Sequence, residues 1–245
     1  MTSRFPASVS RSTARCSRAS AHSTPGGGSI AASFSGWGPV RLRRWRGPRK
    51  LFETIRIRDD ADVAVLVLES GRLPDEEVAD YVAEKCGVKA DRVSLAVAAT
   101  RSVAGAVQIA ARSVETAMHK LFELDFDVTK TLSGFGTCPI ATPAADDLTA
   151  IGRTNDCVLY GSKVYLTVSS TDDEIAALID KVPSCASRDY GQLFRELFKR
   201  YDGDFYKIDP FLFSPARIAI TNAATGRTFR AGRFNADLLH ASLLS

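Results

Sequence analysis

The stretch that most constrains the fold is TRSVAGAVQIAARSVETAMHKL, residues 100–121. Its apolar side chains recur at steps of three and four residues, the spacing typical of one buried helix face, at Val103, Val107, Ala110, Val114, Ala117 and Leu121. Arg112 and Glu115 stand three residues apart, so they project to one side of that helix within reach of each other. Gly105 keeps an early turn slim, so another backbone or a ligand can approach closely. Because Arg–Glu pairs are common and weak, the pattern alone favours an amphipathic core helix with a surface pair.

The charge of the chain is divided unevenly between its two parts. Residues 1–50 carry ten Lys or Arg and no acidic side chain, whereas residues 51–245 carry 22 basic and 28 acidic side chains, a net charge of −6. The net charge of +4 for all 245 residues therefore hides a mildly acidic body. A nucleic-acid partner inferred from the overall charge would rest on the first fifty residues alone, so we expect none.

The cysteines and histidines predict neither a disulfide framework nor a metal site. The cysteines are odd in number and widely spaced, at Cys16, Cys86, Cys138, Cys157 and Cys185. Zinc-ligand spacing is absent from the sequence, and the three histidines are scattered, so we expect free thiols in a reducing compartment and no bound metal. No apolar run approaches the ~20 residues that a membrane-spanning helix needs, so we expect no membrane segment.

Residues 1–50 do not have the pattern of a folded domain. They are rich in Ser, Arg and Gly, contain GGG at 26–28, and show neither helical nor strand periodicity. A leader free of acidic residues and rich in Arg formally resembles an organelle transit peptide, whereas the apolar core of a secretory signal is missing. We therefore place a boundary between a disordered or non-native leader, 1–50, and a folded region, 51–245.

From Leu51 onward the patterning predicts an α/β fold, a layered mixed sheet with helices packed on it. LFETIRIR at 51–58 and DVAVLVLE at 62–69 read as strands, and RVSLAVA at 92–98 as another. Between them, Pro74 is expected to open a helix that ends at Gly87. The order β-β-α-β-α is typical of a layered domain.

The central part of the chain is predicted to alternate loops and short elements. Residues 126–133 are expected to be extended and to end in a turn at Gly134 and Gly136, whose amides could face an anion or a flat ring, or form a plain strand-to-loop turn. Thr142-Pro143 is expected to cap a short helix to about Ile151. RTNDCVLYGSKVYLTV, residues 153–168, then reads as a loop feeding a strand.

The C-terminal part is predicted to contain three helices and a hairpin. Thr171 and Glu174 have the spacing of a capping box. Residues 184–188 read as a polar loop before a helix, DYGQLFRELFKRY at 189–201, and ARIAITN at 216–222 reads as a strand. A turn then leads into a hairpin closed by a short helix.

Four pairs of polar residues mark possible sites, and each has a structural alternative. They are Arg112/Glu115, Asn155/Asp156, Arg188/Asp189 and Lys207/Asp209. Asn155-Asp156 is otherwise a turn, Arg188-Asp189 a helix N-terminus with a well-placed acid, and Lys207-Asp209 a surface pair. Composition does not choose between these interpretations, and no catalytic triad, Walker loop or dinucleotide fingerprint supplies a competing chemistry.

A family resemblance does choose between them. Residues 100–121, RTNDCVLYG at 153–161, VPSCASRDYG at 182–191 and DFYKIDPFLFSPARI at 204–218 closely resemble methenyltetrahydromethanopterin cyclohydrolase, from about Leu51 to the C-terminus. The resemblance implies reversible hydrolysis of the N5,N10-methenyl bridge to the N5-formyl form in cytoplasmic one-carbon metabolism, without metal or prosthetic group. It also implies homotrimers of two-domain α/β subunits, here lacking the N-terminal portion of the family's fold.

The same resemblance assigns the site. The family's catalytic Arg and Glu fall on Arg112 and Glu115, because this sequence keeps the QIAARxVETA surroundings, with Glu115 as the base or proton shuttle and Arg112 orienting and tuning it. Contacts to the pterin substrate are expected, by motif, at Ser102, Gln108, Gly136, Thr137, Asn155, Asp156, Ser184, Arg188 and Lys207.

The resemblance also bears on residues 1–50. Codons permitted for Ser35–Arg41 encode Gly-Met-Gly-Ser-Gly-Pro in another frame, similar to a glycine-rich loop upstream in the family, so we interpret 1–50 as an out-of-frame translation. A genuine disordered leader is the alternative. For function, the alternatives are an inactive truncated remnant that binds pterin weakly or not at all, and an α/β binding module unrelated to pterins.

Overall fold

The computed structural model describes residues 62–244, which form two compact units, 62–99 and 100–244. The leader at 1–50, the boundary at residue 50 and the strand expected at 51–58 lie outside the described residues. The described part confirms the α/β class, with a parallel strand pair in the first unit and a four-stranded mixed sheet in the second.

The first unit is a β-α-β arrangement built as the sequence predicts. Strands β1 (Ala64–Glu69) and β2 (Val93–Ala98) pair in parallel, and helix α1 (Glu76–Cys86) connects them. Asp75 caps α1 by accepting a hydrogen bond from the Val78 amide at 3.1 Å, and Gly87 ends it in the left-handed conformation with φ of 67°. The expected helix is thus confirmed, starting just after Pro74.

The single helix expected across residues 100–121 is in fact two helices. Helix α2 (Val103–Ala111) ends and helix α3 (Ser113–Glu123) begins on either side of Arg112, whose φ of −90° and ψ of 9° leave the helical range. The single apolar stripe was also wrong, because Val103 and Val107 are 58% and 42% exposed while Ala117 and Leu121 are fully buried. The spacing of three and four residues does not reveal the break, because each of the two short helices has that spacing by itself.

The sheet of the second unit has the strand order β3-β4-β5-β6. Strand β3 (Thr131–Thr137) runs antiparallel to β4 (Lys163–Val168), which runs parallel to β5 (Arg217–Asn222), and β6 (Thr228–Gly232) returns antiparallel as the expected hairpin. Helix α3 packs on β3 and β4. The extended segment predicted at 126–133 includes a 3-10 turn, Val128–Lys130, and the strand proper begins at Thr131.

The turn predicted at Gly134 and Gly136 is wrong, because both residues lie within β3 and pair with β4. Neither has a positive φ. The two glycines instead make room for α3. A Cβ on Gly134 would lie 2.8 Å from a Val114 methyl carbon, and one on Gly136 would lie 2.7 Å from Ser113 Oγ.

The remaining helices complete the second unit. Helix α4 (Asp147–Gly161) contains RTNDCVLYG, so the loop predicted there is wrong, as is the cap at Thr142-Pro143: Asp146 caps α4 instead, accepting from the Thr149 amide at 2.8 Å. Helix α5 (Asp172–Leu178) begins at Thr171 as predicted. Helix α6 (Phe194–Arg200) is shorter than the expected 189–201, and α7 (Ala236–Leu244) closes the hairpin as expected.

The main core of the second unit lies between α4, α6 and the segment after α6. Its buried members are Ile151, Leu159, Tyr160, Phe194, Leu197, Phe198, Phe205, Ile208 and Leu212. Helix α4 thus packs within this apolar core, which explains why most of residues 153–161 are buried. Across residues 62–244, none of the helices has the length and apolar character needed to cross a membrane.

Candidate active site

The break between α2 and α3 positions the Arg112–Glu115 pair. Arg112 Nε donates to Glu115 Oε2 at 2.9 Å and Arg112 Nη2 donates to Oε1 at 2.8 Å, so the guanidinium and carboxylate meet through two parallel hydrogen bonds. Glu115 stands in the first turn of α3, where the helix dipole favours a negative charge. The side chains are 34% and 45% exposed, so the predicted pair forms and remains open to solvent.

The backbone around this pair is fixed on both sides of Arg112. The Arg112 amide donates to the Ile109 carbonyl at 3.1 Å, and the Arg112 carbonyl accepts from the Thr116 amide at 2.9 Å and from Thr116 Oγ1 at 3.0 Å. The break therefore leaves no orphaned backbone group at Arg112. Since Ser113 and Val114 rest on the glycines of β3, the first turn of α3 is held against the sheet.

An exposed apolar stripe runs along α2. Val103, Val107 and Ala111 are exposed at intervals of four residues, and the stripe ends at the break before Arg112. Helix α2 packs against α4 through Ala106 on its other side. The stripe thus offers an uncharged surface on the helix that directly precedes the Arg112–Glu115 pair.

His119 extends the polar side of α3 one turn beyond Glu115. Burial lowers the pKa of His119, and the nearby negative charge of Glu115 opposes that shift. His119 Nε2 also lies 3.7 Å from Glu123 Oε1. This histidine is not among the site residues predicted from the sequence, although its i,i+4 spacing from Glu115 places it one turn further along the same side of the helix.

Four of the residues predicted to bind substrate lie at the start of α2, within α2 and on β3. Ser102 caps α2, with its Oγ accepting from the Gly105 amide at 3.0 Å, and Gln108 lies half-buried on the same helix. Gly136 contacts the start of α3, as described above, and Thr137 is exposed at the end of β3. The structure therefore brings Gly136 directly against the helix that carries Glu115.

Asn155 and Asp156 lie within α4, so the turn or loop predicted there is wrong, while their contact with substrate stays a prediction. Asn155 Nδ2 donates to the Ile151 carbonyl at 2.7 Å. Asp156 is only 1% exposed; its Oδ1 accepts from the Phe194 amide at 2.9 Å and its Oδ2 from Ser242 Oγ at 2.6 Å. Burial raises the pKa of Asp156 to about 6 against these hydrogen bonds. Asp156 joins three helices, α4, α6 and α7.

The predicted binding residues after α5 differ in exposure: Ser184 is buried, whereas Arg188 and Lys207 are exposed. Ser184 is fully buried and its Oγ donates to the Leu159 carbonyl at 2.5 Å, so this hydroxyl supports α4. Arg188 is exposed, while its amide donates to Asp209 Oδ2 at 3.3 Å. Lys207 is exposed and pairs with Asp202 at 3.6 Å. The surface pair predicted between Lys207 and Asp209 is wrong, because Asp209 is buried.

Sequence reasoning missed Lys120, which is 1% exposed on α3. Its Nζ donates to the Phe211 carbonyl at 2.5 Å and lies 4.6 Å from the centre of the Phe211 ring. Burial lowers the pKa of Lys120 to about 8, although Asp209 and Cys185 nearby favour the charged form. The signal was available, since Lys120 falls on the buried stripe between Ala117 and Leu121.

The described cysteines are free thiols, as expected: Cys86, Cys138, Cys157 and Cys185. Burial raises the pKa of Cys138 and of Cys157 to about 12, so neither is a thiolate near neutral pH. Within residues 62–244, no group of three or more His, Cys, Asp or Glu side chains is arranged to hold a metal ion.

Comparison with known proteins gives a consistent set of relatives. The family described as Cyclohydrolase (MCH) matches residues 4–243, a range that starts well before Leu51. Methenyltetrahydromethanopterin cyclohydrolase of Methanocaldococcus jannaschii is 48% identical over 210 residues, 85% of this chain and 65% of the relative. The enzymes of the same name from Rhodopirellula baltica and Methylosinus trichosporium are 46% and 42% identical over 87% of this chain, and over 68% and 86% of their own lengths.

The chain thus spans about two thirds of the length of the Methanocaldococcus relative. The leader interpretation for residues 1–50 stays a prediction, since these residues lie outside the described structure. The family match over almost the whole chain, with identities above 40%, confirms the resemblance seen in the motifs. The chain belongs to the methenyltetrahydromethanopterin cyclohydrolase family.

Proposed function

We propose that this chain hydrolyses the N5,N10-methenyl bridge of a tetrahydromethanopterin to the N5-formyl form, reversibly, at the Arg112–Glu115 pair. The observation that carries the proposal is the paired, solvent-accessible geometry of these two side chains. The names of the relatives support the substrate class.

The reaction needs a carboxylate close to the cationic carbon of the substrate. The methenyl carbon belongs to a cationic amidinium and is therefore electrophilic. A water oxygen adds to this carbon while Glu115 accepts the water's proton, and the carboxylate charge favours the neighbouring cationic substrate. Glu115 then returns the proton to N10 as the bond between the carbon and N10 breaks. The hydroxyl proton of the adduct is released to solvent as its oxygen becomes the carbonyl of the formyl group on N5, so the overall reaction consumes one water and releases one proton.

Arg112 orients the base. Its two hydrogen bonds fix the plane of the Glu115 carboxylate, so the oxygen lone pairs keep one direction while a proton moves on and off. The break in the helix at Arg112 places the guanidinium donors toward the first turn of α3. The pair therefore acts as one unit in the proposed reaction.

The surroundings suit a flat substrate with an anionic tail. The exposed stripe at Val103, Val107 and Ala111 supplies an apolar surface for the pterin ring next to Glu115. The exposed cations Arg188 and Lys207 supply charge for the tail. Ser102, Gln108, Gly136 and Thr137 remain the proposed polar contacts around the ring.

The proposal extends to the setting of the enzyme. The reaction is proposed to need no metal or prosthetic group, because the substrate already carries the electrophile. A homotrimer in the cytoplasm, without nucleic-acid or membrane partners, is proposed from the family resemblance.

The test is turnover by the purified full chain, followed by loss of the methenyl absorbance. Glu115→Gln is expected to lower kcat by about 10²–10⁴-fold, because removal of a positioned base costs that much. Glu196→Gln is the matched control, since Glu196 also accepts from a nearby arginine, at 3.2 Å from Arg195 Nε. Near-normal turnover by the Glu115→Gln protein would reject the assignment.

A further inference from the structure

Helix α3 carries a buried ammonium group on its inward side. Lys120 is 1% exposed, shares the buried stripe of Ala117 and Leu121, and points away from the solvent-exposed Glu115. Its Nζ donates to the Phe211 carbonyl at 2.5 Å and lies over the Phe211 ring at 4.6 Å. A lysine is almost never fully buried unless it has partners of this kind.

The segment that receives Lys120 is organised by two buried carboxylates. Asp209 accepts hydrogen bonds from Ser187 Oγ at 2.6 Å, the Arg188 amide at 3.3 Å and the Phe211 amide at 3.1 Å. Asp189 Oδ2 in turn accepts from the Asp209 amide at 2.8 Å. The segment that bears Arg188 is therefore tied to the segment that bears Phe211, the residue that Lys120 holds.

The two ends of α3 are thus anchored to different parts of the unit. Its first turn packs on the glycines of β3, and its last turn is joined to Phe211 through Lys120. We propose that Lys120 is a positioning residue that holds the helix of Glu115 in register with the segment of Arg188. The inference rests on the proposed function, because it assigns to Lys120 a part in presenting Glu115 to substrate.

A role in stability alone does not account for this ammonium. Desolvation lowers the pKa of Lys120, which means that burial disfavours its charge even with Asp209 and Cys185 facing it. On α3 itself, Arg112, Glu115, His119 and Glu123 are the nearest titratable side chains along the helix. Lys120 is held by a carbonyl and an aromatic ring, and a buried charge can often be replaced by a well-packed apolar side chain of similar volume without loss of stability.

The experiment compares Lys120→Met and Lys120→Arg in the full chain, with Lys130→Met as the matched control. Lys130 also lies near an aromatic ring, 5.9 Å from that of Phe126, and pairs with a carboxylate, Glu174 at 2.8 Å, but it lies outside α3. Lys120→Met is expected to lower kcat at least tenfold, with KM within threefold and a melting temperature at pH 7 no lower than wild type. Lys120→Arg is expected to regain part of kcat, and Lys130→Met to keep wild-type kcat.

Hydrogen exchange supplies a second measurement that needs no turnover. Amides of α3 and of 209–213 are expected to exchange faster in Lys120→Met, while those of α5 are unchanged. If the wild-type chain does not turn over substrate, the proposed function fails and this exchange pattern still decides the anchoring role.

Three results would overturn the proposal. The first is a Lys120→Met protein with wild-type kcat. The second is a fall in melting temperature in both Lys120 variants that is large enough to account for their loss of activity. That result would mean that Lys120 contributes to stability alone. The third is unchanged exchange in α3.

Discussion

Ser113 and Gly136 approach so closely that a Cβ added to Gly136 would lie 2.7 Å from Ser113 Oγ. This contact sets how near α3, and with it Glu115, lies to the sheet. Only a residue without a side chain fits at Gly136, since Val114 Cγ2 would also lie within 3.1 Å of the added atom.

Gly136→Ala is expected to destabilise the protein by about 1–3 kcal/mol, the usual cost of overpacking. The added methyl must push α3 from the sheet, so kcat should fall as well. Urea denaturation measures the first effect and the substrate assay the second. Gly71→Ala is the control, because a Cβ there meets nothing within 4 Å and Gly71 has no positive φ. Combining Gly136→Ala with Ser113→Ala should restore part of the stability, and no restoration would contradict the contact.

Arg112→Met is expected to lower kcat by tenfold or more while it changes the free energy of unfolding by less than about 1 kcal/mol, because exposed ion pairs contribute little to stability. The reason is the proposed orientation of Glu115 by Arg112, in a pair that is open to solvent. Thermal unfolding and steady-state kinetics on the same preparation separate the two effects. A large loss of stability with unchanged kcat per folded molecule would contradict the orienting role.

Asp156→Asn is expected to change how stability depends on pH. The pKa of Asp156 is raised from 3.8 to about 6, so the folded state binds a proton that the unfolded state releases, and stability falls as pH rises from about 4 to about 6. The difference corresponds to at most about 3 kcal/mol. The Asn variant keeps the acceptor for Phe194, lacks this dependence, and should be the more stable protein above pH 6. Denaturation midpoints at pH 4 to 7 test this, and parallel curves for the two proteins would refute it.

Lys120 is expected to change the pH dependence of stability in the direction opposite to that of Asp156. Its pKa is lowered from 10.5 to about 8, so the unfolded state binds more protons between these values and stability rises with pH across that window. The gain relative to Lys120→Met should reach on the order of 3 kcal/mol. Because other lysines and tyrosines also titrate there, the measurement is the difference in unfolding free energy between the two proteins at pH 7.5 and 10. A constant difference would show that Lys120 is not desolvated.

Elements marked by local backbone chemistry were the ones that the sequence predicts well. Asp75 and Gly87 fix the two ends of α1, and Thr171 fixes the start of α5, because caps act within three or four residues. The Arg112–Glu115 pair is predictable for the same reason, since its spacing places both side chains on one side of the chain even across the break.

The errors occurred where tertiary packing decides the outcome. The glycines of β3 signalled a turn locally, but the demand for space came from Ser113 and Val114, which are distant in sequence. Asp156 looked like a loop residue because its partners, Phe194 and Ser242, are 38 and 86 residues away. Lys120 was overlooked because its interaction with Phe211 spans 91 residues.

The buried charges at Lys120 and Asp156 have a consequence for directed evolution of this protein. Each charged form is disfavoured by its surroundings near neutral pH, so a selection for heat resistance alone should enrich neutral replacements at both positions. A parallel selection for growth that depends on the enzyme should retain Lys120 and remain indifferent to Asp156→Asn. The two enrichment profiles would then distinguish, across the whole chain, charges kept for activity from charges that the fold merely tolerates.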